Sequence, residues 1–316
     1  MKETTSYNIL CATDDNYAPY CGIMLTSLFE NNKELNFCIY ILVEQLSNKS
    51  KNEFATLARI YNQRIEIITV DSDKLKDCPM HDDDYVSLVT YYRLLAPQLL
   101  PQEIDKLLYL DSDMIIDRSI ESLYNTDIEN YAIAAALDED YMNEEKYKRL
   151  EYAFEKKYFN AGVLLINLKY WRDNKVMQRC FEYIKGNANK LIFHDQDTLN
   201  FVLKDEKKEI HIKNNFQTGF IHKKRNVEPG LINDINESVV APVVIHYTGL
   251  NKPWKYGVHP YKNHFLHYKS ISAWSEIKQE DGRNMKERIV ECIYSIFYAL
   301  RIKKRHYSFT IAEQNK

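Results

Sequence analysis

Between Tyr7 and Leu110 short apolar runs alternate with stretches of helical periodicity, and that alternation leaves few folds open to the chain. Tyr7–Ala12, Phe37–Val43, Arg64–Val70 and Lys106–Leu110 read as strands, the third rich in β-branched residues. Pro19 can open a helix that runs to about Phe29. Ser47 reads as the N-cap of another ending near Tyr61, with Phe54, Leu57, Ala58 and Tyr61 on one face. Thr90–Leu95 is expected to be helical. Strand–helix–strand order of this kind predicts an α/β fold: a mainly parallel sheet with helices on both faces. The second half is less regular. Strands are expected at Tyr131–Leu137, Phe159–Leu168 and Val239–His246, and helices at Glu144–Phe154, Tyr170–Ile184 and Gln196–Leu203.

One strand ends in chemistry. The run Lys106-Leu-Leu-Tyr-Leu leads directly into Asp111-Ser-Asp113. On an extended backbone positions i and i+2 point to the same side, so two carboxylates converge at the mouth of the sheet. That edge is where ligands bind in open α/β sheets, and paired hard oxygens suit a divalent cation. The triplet alone is not distinctive, because Asp71/Asp73, Asp82/Asp84, Asp138/Asp140 and Asp195/Asp197 repeat it. The strand in front of Asp111 separates it from the others.

Composition narrows the function classes. With 316 residues, 45% hydrophobic and 28% charged, the chain can bury a large core. A net charge of −3 gives no reason to expect nucleic acid as a partner. The six cysteines include no CxxC pair, so neither a zinc site nor a disulfide framework is implied. The 24 tyrosines fit either sugar and nucleobase contacts or core edges. No run of about 18 apolar residues occurs and no apolar leader precedes the first strand, so the expected location is cytoplasmic. From Arg283 to Arg305, Ile289, Ile293, Ile296 and Leu300 recur at helical spacing among seven Lys/Arg and two Glu. Such a basic amphipathic helix fits either an anionic membrane surface or packing on the domain with a solvated tail.

Five segments, taken in order, resemble glycosyltransferase family 8, with the nearest likeness to bacterial lipopolysaccharide galactosyl- and glucosyltransferases. They are Ala12-Thr-Asp14-Asp15-Asn16-Tyr17, Leu108-Tyr-Leu-Asp111-Ser-Asp113, Tyr158-Phe-Asn160-Ala161-Gly162, His194-Asp195-Gln196-Asp197-Thr-Leu-Asn200 and His246-Tyr-Thr-Gly249-Leu-Asn-Lys252-Pro-Trp254. The resemblance runs from about Tyr7 to Tyr256. It implies a GT-A (Rossmann-like) catalytic domain over 1–260, with 261–316 as a helical, basic appendage. The implied reaction moves galactose or glucose from a UDP-sugar to a glycan, lipid-linked or protein-linked acceptor with retention at the anomeric carbon.

The same resemblance distributes the site. Asp111, Asp113 and His246 hold manganese, with magnesium as the alternative; an imidazole beside two carboxylates suits a borderline ion. Ala12, Asp14, Asn16 and Tyr17 form the uridine pocket, with Ser112 grouped among the nucleotide-binding residues. Gly249 and Lys252 clamp the diphosphate, and Arg93 contacts the donor sugar and its phosphates. Asn160, Ala161, Asp195 and Gln196 line the donor-sugar pocket, and Asp138 lies near the reacting hydroxyls. Retention needs either a protein nucleophile (Asp138, Asp195 or Gln196) or same-face attack by the acceptor. An amide is a poor nucleophile, so same-face substitution is expected.

Read one at a time, these residues have plainer explanations: an Asx turn for Asp14–Asn16, a surface ion pair for Arg93, a core histidine for His246. A sugar-nucleotide pyrophosphorylase would want a Gly-rich basic loop after the first strand, where this chain has Thr-Asp-Asp-Asn-Tyr. A non-catalytic sugar-nucleotide-binding module and a self-glucosylating initiator stay open. The acidic segment His81–Asp84 is unusual beside a diphosphate and has no assigned role. Asn214–Asn236, with Phe216, Phe220, His222, Lys223 and Lys224, falls where acceptor would bind.

Overall fold

The computed structural model describes residues 6–80, 87–222, 225–255 and 259–277, together with 285, 286, 289 and 293. The strands are β1 (Ser6–Ala12), β2 (Asn36–Val43), β3 (Arg64–Thr69), β4 (Lys106–Leu110), β5 (Met114–Ile116), β6 (Ile133–Leu137), β7 (Phe159–Asn167), β8 (Lys207–Glu209), β9 (Phe216–Gln217) and β10 (Val244–His246). The α-helices are α1 (Ala18–Glu30), α2 (Asn48–Tyr61), α3 (Ala96–Leu99), α4 (Glu121–Tyr124), α5 (Glu144–Leu150), α6 (Leu168–Asp173), α7 (Val176–Asn187), α8 (His194–Val202), α9 (Ile232–Val240) and α10 (Lys262–Ile271).

A seven-stranded sheet runs β3-β2-β1-β4-β7-β6-β8, and a three-stranded sheet runs β5-β10-β9. In the larger sheet only β7 opposes its neighbours; the β1–β2, β2–β3, β1–β4 and β6–β8 pairings are parallel. Alternation along β1 shows why the strands read as continuous apolar runs. Ile9 and Cys11 enter the core shared with α1 and α2, while Leu10 and Ala12 enter the core shared with Tyr91, Trp171 and Cys180 on the other side. A sheet covered on both faces has no polar side to alternate with.

Several boundaries differ from expectation. Thr90–Leu95 lies in a 3-10 helix, Leu88–Leu95. The helix expected over Glu144–Phe154 stops at Leu150, where Glu151 turns left-handed at φ 56°. That expected over Tyr170–Ile184 is two, α6 and α7, parted by left-handed Lys175. The strand expected over Val239–His246 keeps only Val244–His246, because Val239 and Val240 close α9. Pro242 stands between them and cannot donate a ladder hydrogen bond.

Packing continues across position 260. Phe265, Tyr268 and Trp274 join the core, and the Trp274 ring meets Phe54 of α2 edge-on at 5.2 Å. Of the basic segment 283–305, only Met285, Lys286, Ile289 and Ile293 lie within the described residues; they are helical and exposed. The acidic segment 81–84 and Lys223–Lys224 lie outside them. Among the described residues no helix is long and apolar enough to cross a membrane.

Candidate active site

The end of β4 is where the two sheets meet. Asp111 N–H still bonds Gly162 of β7 (2.9 Å), but the chain then passes through Ser112 and Asp113 into β5 of the second sheet. Strand β5 pairs antiparallel with β10 in the register Met114–His246, which brings His246 beside Asp113 across 133 positions of sequence. Asp113 C=O accepts from Tyr247 N–H at 3.0 Å, locking that register. Ser112 faces the other way and donates to the Ala12 carbonyl at 3.0 Å. Both carboxylates converge as expected, although Ser112 and Asp113 lie in the bend between β4 and β5 and not in an extended strand.

One ligand atom each from Asp111, Asp113 and His246 lies within 4.8 Å of the others. His246 Nε2 stands 3.3 Å from Asp113 and 4.0 Å from Asp111. Two carboxylates and an imidazole form a donor set that fits a divalent ion. Room for it depends on Gly162: a Cβ there would lie 2.4 Å from His246 Cε1 and 2.8 Å from Asp111 Oδ2. Gly162→Ala is accordingly expected to weaken divalent-cation binding by at least ~10-fold and to cost roughly 1–3 kcal/mol of stability through overpacking. Metal titration and thermal melts read both; a variant matching the parent in both would contradict the close approach.

Charge around the cluster is balanced on two sides. Lys252 contacts Asp113 and the Tyr247 carbonyl and is itself buried. Burial opposes ionisation of Asp113, but Lys252 and His246 overcome it and hold the carboxyl well below the usual range. On the other side Arg93, only 3% exposed, pairs with Asp111 and Asp195 at 3.0 Å each. Its guanidinium lies 4.1 Å above the Tyr109 ring, and Tyr109 donates to Asp111 at 2.8 Å. Burial alone would lower the Arg93 pKa; the two carboxylates outweigh it and raise it. Arg93 is thus a buried bridge between strand end and α8, not a helix-surface ion pair.

A second cluster surrounds Asp138, which follows β6. Lys146 of α5 reaches it at 2.6 Å, and the amides of Asn160 and Gln196 each donate to it at 3.2 Å. Gln196 Oε1 accepts from Ala161 N–H at 2.9 Å, so the Gln196 side chain spans β7 and Asp138. Asp197, the partner of Asp195 in its triplet, is not part of the cleft lining and instead holds Arg149, Tyr158 and Phe193 N–H.

At the end of β1, Asp14 closes the turn into α1 by accepting from Tyr17 N–H, three residues on, at 2.8 Å. Asp15 accepts from Ser47 and Ser50 and ties that turn to the N-terminus of α2. Tyr17 meets Tyr20 edge-on at 5.4 Å, and Tyr20 stacks on Trp254 at 4.1 Å. Gly249 sits at φ +71°, a left-handed conformation that favours glycine.

A cleft of about 1180 Å³ unites these groups, and every residue expected at the site lines it, from Ala12 to Lys252. The region 214–236 contributes Gly219, His222, Arg225 and Asn226, whereas Phe216 and Phe220 are buried in the core. Four cleft or near-cleft groups had no signal in the sequence reading. Lys146 lies in a helix with several other charges, and Glu139 follows β6 beside Asp138, with no pattern that marks either. Glu139 in fact accepts from Thr248 at 2.7 Å and Gly219 N–H at 2.5 Å, pinning the loop after His246. Thr248 lies inside the His246–Trp254 motif, and Asn215 lies in a segment without a motif. Only their spatial partners mark them out.

A mainly parallel sheet with a carboxylate-bearing strand end, facing a loop that carries glycine and lysine, defines a GT-A-like glycosyltransferase. A model of glycosyl transferase family 8 matches residues 8–257, and the chain belongs to that family. It is 30% identical over 305 residues to a lipopolysaccharide 1,2-glucosyltransferase of Escherichia coli, covering 93% of this chain and 88% of the relative. It is 29% identical over 284 residues to general stress protein A of Bacillus subtilis, covering 88% and 98%. Among solved structures, the galactosyltransferase LgtC in complex with donor and acceptor sugar analogs superposes with a TM-score of 0.76 at 27% identity, covering 89% of this chain and 99% of that one.

Proposed function

We propose that this glycosyltransferase moves galactose or glucose from a UDP-sugar to a lipopolysaccharide-type glycan acceptor, with retention and with Mn²⁺ as its metal. The observation that carries the reading is the convergence of Asp111, Asp113 and His246 beside Lys252, in one cleft with the Asp14–Tyr17 turn. A bound divalent ion at those ligands would neutralise the diphosphate and make UDP a better leaving group. Lys252 adds a fixed positive charge, and Gly249 lets the backbone approach the phosphates. Asp14 takes the uracil N–H and Tyr17 offers an aromatic face. Asn160, Ala161, Asp195 and Gln196 hold the hexose.

Retention by same-face substitution fits the engagement of the carboxylates. Asp138 carries the Lys146 ammonium and two amide donors, and Asp195 carries Arg93 and Thr90. A carboxylate so compensated is a weak nucleophile. The residues orient the sugar, and the leaving phosphate takes the acceptor proton. Mass-spectrometric capture of a glycosyl adduct on Asp138 or Asp195 would overturn this step. With a lipid-linked acceptor the enzyme would act in the cytoplasm, in peripheral contact with the inner membrane face through its basic C-terminal segment.

Calorimetric titration with UDP tests the pocket itself. UDP should bind at least ~10-fold more tightly with Mn²⁺ than without, since the ligands and the diphosphate share the ion. Affinity indifferent to the ion, or no binding, would contradict the reading.

A further inference from the structure

His246 is not held by the carboxylates alone. Its Nδ1 lies 2.8 Å from Asn215 Oδ1, and Asn215 is fully buried at the end of a 3-10 turn just before β9. The Asn215 amide nitrogen donates to Asn160 Oδ1 at 2.8 Å. Asn160 Oδ1 also accepts from Gly162 N–H at 2.9 Å, and its amide nitrogen donates to Asp138. A buried chain of side chains therefore joins the proposed metal ligand to the cluster of Asp138, Gln196 and Lys146.

The direction of this chain is fixed by groups that cannot reverse. Gly162 N–H is a backbone donor, so Asn160 must present its oxygen there and its nitrogen to the Asp138 carboxylate. Two carbonyl oxygens cannot bond each other, so Asn215 must meet Asn160 with its nitrogen. Its oxygen then faces His246 Nδ1, which has to carry the hydrogen. Flipping any one amide would set oxygen against oxygen or nitrogen against N–H, at 7% exposure or less for Asn160, Asn215 and His246.

We propose that Asn215 is a positioning residue that fixes His246 in the Nδ1–H form, so that Nε2 is the nitrogen presented to Asp111 and Asp113. Free histidine side chains favour the opposite Nε2–H form, so the chain imposes a tautomer that the ring would not choose. The hydrogen bond to Nδ1 also sets the ring plane and raises the basicity of the ligating nitrogen. Because Asn160 touches both Asn215 and Asp138, the metal ligand and the sugar-side carboxylate share one set of hydrogen bonds. The proposal rests on the metal reading above for its consequence, but not for its geometry.

The test is ¹⁵N NMR of histidine-labelled, metal-free enzyme, which reads the hydrogen on each ring nitrogen separately. The His246 signals are those lost in His246→Gln. The expected result is a hydrogen on Nδ1 in the parent, held by Asn215. Asn215→Asp keeps an acceptor at Nδ1 and should keep the hydrogen there, with a lower melting temperature because its second oxygen meets Asn160 Oδ1; Mn²⁺ affinity is read in parallel by paramagnetic resonance. Asn215→Leu should shift the ring toward Nε2–H and weaken Mn²⁺ by ~10–100-fold. A parent without a hydrogen on Nδ1 overturns the proposal without recourse to any variant, as does a folded Asn215→Leu with Nδ1 and affinity unchanged. A parent with the Nδ1–H form but no Mn²⁺ affinity would instead refute the metal reading and leave the tautomer assignment standing.

Discussion

Asp113→Asn is expected to lower hexose transfer by at least ~10³-fold, about 4 kcal/mol of lost transition-state stabilisation, in a chain that still folds. The substitution keeps the shape of the side chain and removes its charge. Asp113 is the carboxylate closest to His246 Nε2 and the one that Lys252 contacts. Without it the set retains one carboxylate and one imidazole, too few to hold a divalent ion firmly against competing water. Lys252 keeps the Tyr247 carbonyl as a partner, which limits the structural damage. Turnover, Mn²⁺ titration and circular dichroism together read the outcome. More than a tenth of parental turnover in the variant would mean that Asp113 is not a ligand in the reaction.

Arg93→Met should destabilise the protein by about 3–5 kcal/mol, the range for removing one partner of a buried ion pair. Its guanidinium serves Asp111 and Asp195 at once, and Asp195 is 2% exposed. Methionine fills the stem volume and leaves a desolvated carboxylate with Thr90 as its remaining cleft-side donor among the described hydrogen bonds. At roughly 2–3 °C per kcal/mol for a chain of this size, the melting temperature should fall by about 10 °C. Adding Asp195→Asn should recover part of the loss, because the stranded charge is gone. A drop under about 1 kcal/mol, or no recovery in the double variant, would place the stabilisation elsewhere.

The first half of the fold was legible because its strands are long and its helices carry caps. Strand β4 was read to the residue, and Ser47 is the N-cap of α2, accepting from Ser50 N–H at 3.2 Å. The second half resisted for a physical reason: its elements are set by partners far away. Strand β5 has three residues, Met114–Ile116, and nothing in their pattern separates them from the strand before the turn. Yet β5 carries the register that delivers His246. Val239 and Val240 are β-branched and precede a true strand, but Ile235 and Ser238 bury one helical stripe and hold α9.

The residues expected at the site line one cleft because their motifs sit where strands end. Asp71 caps its own turn by accepting from Asp73 N–H at 3.2 Å, a local use of the same triplet that Asp111 and Asp113 put to another purpose. What sequence could not supply was the supporting layer. Asn215, Lys146 and Glu139 act through contacts with residues 8 to 109 positions away, at positions where composition carries no signal.

Release of UDP from UDP-galactose and UDP-glucose, followed with and without Mn²⁺ in the parent and in Asp113→Asn, tests the central claim most directly. Metal-dependent release from at least one donor in the parent, abolished in the variant, is the predicted result. Release that ignores both the ion and Asp113, or none from any UDP-hexose, would contradict it.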